Sequence, residues 1–99
     1  MPQHIAQASI TAQNTFTDPV RMLGPGAWGV KTGTFSATVS LQYRVPGDTT
    51  WTDTGDTATA AGLWAILEGA DLEFRVGVKT GGFVSGTAQV WIAARGIRA

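Results

Sequence analysis

Thr34-Phe35-Ser36-Ala37-Thr38-Val39-Ser40-Leu41-Gln42-Tyr43-Arg44-Val45 decides the fold. Phe35, Ala37, Val39, Leu41, Tyr43 and Val45 alternate with Thr34, Ser36, Thr38, Ser40, Gln42 and Arg44. Successive strand side chains point to opposite faces, so this period of two predicts a strand with one buried face and one wet face. Pro46-Gly47-Asp48 follows with turn chemistry: proline fixes φ, glycine accepts positive φ, and Asp bonds its own backbone. Trp51-Thr52-Asp53-Thr54 is then the expected hairpin partner.

A second alternation runs from Leu72 to Thr80. Leu72, Phe74, Val76 and Val78 face one way; Glu73, Arg75, Gly77 and Lys79 face the other. Gly81-Gly82 reads as a turn, with Gly86 to Arg95 returning as the partner strand. In that return, Ala88, Val90, Ile92 and Ala94 oppose Thr87, Gln89, Trp91 and Ala93. Apolar residues on both faces around Trp91 mean that the strand is central or that its outer face meets another molecule.

Outward from these strands the signals weaken. Ile5 to Phe16 alternates through Ala6, Ala8, Ile10 and Ala12, which suits an edge strand or an arm pairing with a neighbour. Residues 1–17 are therefore set apart from a sandwich spanning 18–99. Val20–Leu23 and Ala27–Lys31 read as short strands broken by Gly24-Pro25-Gly26. Ala58 to Glu68 has helical spacing at Ala60, Leu63, Trp64 and Leu67, yet Gly62 interrupts it and Gly69 ends it. A strand from Leu63 to Leu67 fits the context better. Val30-Lys31-Thr32-Gly33 recurs as Val78-Lys79-Thr80-Gly81, each copy expected to join two strands. The fold class is all-β, a two-sheet antiparallel β-sandwich, Ig-like or jelly-roll, of seven to eight short strands.

Composition agrees. Thirteen glycines and fourteen threonines among 99 residues favour short strands and tight turns. At 43% hydrophobic the chain is too apolar for disorder. Seven basic residues balance seven acidic ones and form no basic stripe, so nucleic acid is not an expected partner. No apolar run reaches the length of a membrane span, and the first residues lack the features of a secretory signal. The reading expects synthesis in a cytoplasm. There are no cysteines, so stability must come from packing or association.

Candidate chemistry is sparse. His4 is the single histidine, and Ser9, Ser36, Ser40 and Ser85 lie in strand or turn patterns without a nucleophile elbow. Asp48, Asp53 and Asp56 cluster around one turn. Solvated turn carboxylates are the plain reading; a weak calcium site is the other, although the spacing matches no EF-hand loop. Neither glycine cluster opens into a helix as a phosphate cradle must. The expectation is a protein without catalytic residues, metal or cofactor. Of the four tryptophans, Trp64 is assigned to the core, and Trp28 and Trp91 to contact surface. Ile5, Ile10, Trp28, Phe83 and Trp91 are the interface candidates. Trp51 or Trp28 would serve a glycan-binding module, the reading from another functional class.

Val39-Ser40-Leu41-Gln42-Tyr43-Arg44, Gly47-Asp48-Thr49-Thr50-Trp51, Phe74-Arg75-Val76-Gly77-Val78-Lys79-Thr80-Gly81 and Ser85-Gly86-Thr87 carry a resemblance. Residues 34–95 resemble small β-sandwich structural proteins encoded in tailed-phage genomes; the N-terminal third shows no such match. The resemblance implies a virion location. It implies a capsid decoration (cement) protein on the major capsid protein, or a head fibre, neck or tail part contacting other virion proteins. Symmetry suggests self-association, a homotrimer at local three-folds of a capsid.

Overall fold

The computed structural model describes residues 5–22, 24–66 and 71–94. Within them lie nine strands: β1 (Ile5–Ile10), β2 (Thr15–Phe16), β3 (Val20–Met22), β4 (Gly26–Val30), β5 (Phe35–Arg44), β6 (Thr52–Ala58), β7 (Gly62–Ile66), β8 (Leu72–Gly86) and β9 (Ala88–Ala94). They form two antiparallel sheets. The first has the order β1-β9-β4-β7; the second has β2-β8-β5-β6, with β3 pairing β8 beyond β2.

The pairing has a simple logic. When β2 and β3 are counted as one strand broken at Pro19, eight strands pair first with last, second with seventh, third with sixth and fourth with fifth. That is one long hairpin. Rolling it up adds β9 against β4 and β8 against β5. The result is the jelly-roll form of the sandwich.

The central alternation behaves as its sequence demands. Val39, Leu41, Phe74, Val76 and Val78 point inward to meet Val30, Val90 and Ile92 from the facing sheet, all at 3% exposure or less. Each such side chain contributes about 1.5–3 kcal/mol relative to solvent exposure. Val45 departs from the pattern at 57% exposure, because β5 has already ended at Arg44. The Val45–Asp48 turn closes through Asp48 N–H to the Val45 carbonyl at 2.9 Å, with Gly47 at φ +90°. Proline second and a positive-φ glycine third define a type II turn.

Two sequence expectations are corrected. Gly81-Gly82 does not turn the chain: β8 runs through it, and Lys79 to Gly82 bulge opposite Thr38 while Val78 pairs Val39 and Phe83 pairs Ala37. Nor does the expected partner, over its described strand Ala88–Ala94, pair with 72–80. At Gly86 (φ +86°) the chain crosses to the other sheet, where β9 pairs β1 and β4. The repeated Val-Lys-Thr-Gly therefore serves two purposes, a crossing between sheets after β4 and a bulge inside β8. The strand expected over Leu63–Leu67 is β7, Gly62–Ile66, with Leu67 outside the described residues, and residues 5–17 contribute a strand to each sheet.

Candidate functional site

The two sheets differ most on the sides turned away from the core. Register places Ile5, Trp91, Ala93, Ala27, Gly29, Leu63 and Ala65 on the outer side of the four-stranded sheet. Gly29 lies between Trp91 and Leu63. A Cβ at Gly29 would sit 2.8 Å from the Trp91 ring and 2.5 Å from the Gly62 carbonyl oxygen, so glycine is what lets the indole lie down on β4. Trp91 is half-buried by this arrangement, whereas Leu63 at 67% and Ile5 at 48% stand out into solvent. Polar residues share this side: Gln7 lies opposite Trp91, and Ser9, Gln89 and Lys31 occupy one end, where Lys31 donates to the Gln7 side chain at 3.2 Å.

The outer side of the five-stranded sheet carries all three ion pairs of the described residues: Arg21–Asp71, Arg44–Glu73 and Lys79–Asp53. A hydrogen-bonded ladder crosses it. Lys79 and Gln42 both donate to Asp53, at 2.6 and 2.9 Å, and Arg75 Nε donates to Gln42 Oε1 at 2.9 Å. The Lys79 bond, then the Gln42 bond, hold the Asp53 carboxyl below its ordinary pKa. Arg75 lies 3.9 Å from the Phe16 ring centre and 4.5 Å from that of Trp51, with Arg44 a further 4.4 Å contact on Trp51. Burial, then the charge of Arg44, push the Arg75 pKa down, yet a guanidinium stays ionised at any physiological pH.

The edges differ in the same sense. β6 carries Asp53 and Asp56 and is bulged at Gly55 (φ +97°); the β2–β3 edge is broken by Pro19 and carries Arg21. Charges, bulges and proline are what guard an edge against added strands. β1 (Ile-Ala-Gln-Ala-Ser-Ile) and β7 (Gly-Leu-Trp-Ala-Ile) have none of these. Among the described residues, one sheet is thus guarded on its face and its edges, and the other has unguarded edge strands and a face charged only at Lys31.

Among the interface candidates, Ile5 and Trp91 share that apolar face. Ile10 and Trp28 are corrected: at 0% and 1% exposure both are core, because their registers opposite Ala88 and Ile92 turn them inward. Phe83 is half-buried against the core. Trp64 is corrected in the opposite direction. It stacks on Trp28, with ring centres 4.8 Å apart, but edge position leaves it 38% exposed. Leu63 and Ala65 escape a sequence reading because β7 has no clean alternation; their outward position follows only from pairing with β4.

Among the described residues the side chains of the candidate chemistry do not come together. His4 lies outside the described residues, as does Glu68. Asp48 accepts from Thr49 N–H at 2.8 Å within its own turn and Asp53 is taken by Lys79, so the three turn carboxylates do not converge. Among the described residues no group of three or more His, Cys, Asp or Glu could hold a metal, and no helix is long and apolar enough to cross a membrane. Among the described residues two buried polar side-chain atoms lack hydrogen-bond partners, Trp28 Nε1 and Ser40 Oγ. Comparison with protein-family models, curated proteins and solved structures finds no match.

Proposed function

We propose that this chain is a non-enzymatic structural protein of a tailed-phage virion, a capsid decoration protein seated on the major capsid shell through its four-stranded sheet. Jelly rolls host capsid proteins, lectins and enzymes alike, so the topology alone selects none of them. The observation that carries the reading is the asymmetry between the sheets: among the described residues, one has a largely apolar outer face, charged only by Lys31 at one end, and edge strands without charge, bulge or proline, and the other has a charged, guarded surface. Covering Trp91, Leu63 and Ile5 with protein removes apolar area from water, and the charged sheet keeps the particle's outside wet and non-sticky. The sequence resemblance to phage structural proteins supplies the setting.

The glycan reading loses the two residues it used. Trp28 is buried, and two guanidinium groups already lie on the Trp51 ring.

The test is the composition of purified particles. The protein is expected in virions at a fixed, near-stoichiometric ratio to the major capsid protein on a quantitative gel, and Trp91→Glu is expected to fold yet be missing from them. A few copies per particle assign it instead to the neck or tail, and absence from purified virions overturns the reading.

A further inference from the structure

The edge strand β7 (Gly62–Ile66) ends the four-stranded sheet, and among the described residues no strand pairs with its outer side. Its five residues carry no charge and no proline, and it exposes Leu63 and Trp64 at 67% and 38%. Such an edge is a template for another strand. From this geometry we infer that β7 pairs antiparallel with β7 of a second copy about a two-fold axis, joining two four-stranded sheets into one of eight.

Three observations favour a second copy over a different protein. First, the strand is complementary to itself. A register centred on Trp64 sets Trp64 against Trp64, Leu63 against Ala65 and Gly62 against Ile66, so no like charges meet and the two half-exposed indoles cover each other. Second, the neighbouring edge β6 carries Asp53 and Asp56 and is bulged at Gly55, which confines pairing to the one sheet. Third, the axis for antiparallel edge pairing stands perpendicular to the sheet, so both outer apolar faces look the same way. Four strands about 4.8 Å apart and five residues long at about 3.4 Å each offer about 320 Å² per copy. A standard protein interface needs about 800 Å² per partner. One face falls well short of that, and two joined faces, about 640 Å², approach it. The inference rests on the proposed docking through this sheet and gives the docking surface its size.

The test uses the full chain, whose lack of cysteine makes introduced thiols free of background. Sedimentation velocity across the micromolar range is expected to show a monomer–dimer equilibrium, and Ala65→Lys, at an exposed position, is expected to abolish the dimer while matching the parent's melting temperature at concentrations where the parent is monomeric. Leu63→Cys mixed with Ala65→Cys should give a disulfide-linked heterodimer on oxidation, because directly paired strand residues lie within disulfide reach. A monomer at every concentration, a trimer, or a dimer indifferent to Ala65→Lys overturns the inference. The outcomes separate from those above: a monomeric protein found on virions rejects only the dimer, and a β7 dimer absent from virions rejects only the location.

Discussion

Gln42 is buried on the outer side of β5, and the ladder around it explains how a charged surface can also be ordered. Its amide nitrogen donates to Asp53 and its oxygen accepts from Arg75, so both ends of one neutral side chain are satisfied. Asp53 also receives Lys79, and this contact leads the lowering of its pKa. A carboxylate whose folded pKa is depressed contributes stability that is complete above its unfolded value and is lost as pH falls through the folded value. The protein is therefore expected to lose stability below about pH 4. Asp71, held low by Arg21, acts in the same direction. Asp53 and Lys79 are both nearly half exposed, so the pair itself is worth at most about 1 kcal/mol. Urea denaturation at pH 7 and pH 3 should show a smaller acid-induced drop in Asp53→Asn than in the parent chain; equal drops would remove Asp53 from this account.

At the scale of the strand, glycine decides which elements can touch. Gly77 on β8 faces β2 at Phe16, and a Cβ there would run into the Thr15 carbonyl oxygen and sit 2.6 Å from the Phe16 Cα. Neither backbone atom can retreat without giving up the β2–β8 pairing. Gly77→Ala is therefore expected to destabilise the fold by about 1–3 kcal/mol, as overpacking of a close contact does. It should also lift Phe16 from the Arg75 guanidinium. Gly47→Ala is a poor control, since its φ of +90° brings strain of its own; Gly33→Ala, with ordinary contacts only, is the proper one. Thermal melts of the two variants check the difference: a Gly77→Ala midpoint equal to that of Gly33→Ala would show that the strand contact is dispensable.

For the molecule as a whole, the jelly-roll pairing sets the folding problem. Among the described strands only β5 and β6 are consecutive and paired; β1 must find β9, and β2 must find β8. Loop-closure entropy is spent before such remote contacts give anything back, so refolding is expected in milliseconds to seconds, at the slow end for a chain of this length. Stopped-flow tryptophan fluorescence measures this directly, with Trp28 and Trp64 reporting the joining of β4 to β7. A microsecond phase carrying the whole amplitude would contradict the topology.

The amino-acid sequence by itself determined the class of fold and the inward set of β5, β9 and the first half of β8. Alternation over Phe35–Tyr43, Leu72–Val78 and Ala88–Ala94 is a local property, written in the order of side chains and kept by any sheet that buries one face. It also placed Trp91 on the outer side of its strand. What it could not supply was the partner of each strand. The misread turn at Gly81-Gly82, the crossing at Gly86, and the exchange of Trp28 into the core for Trp64 at its edge have one cause. Residues 88–94 satisfy the same alternation whether they pair with β8 or with β1 and β4. Only tertiary packing, by closing a long hairpin into two layers, chose between them, and with that choice fixed which face, which edge and which tryptophans meet the outside.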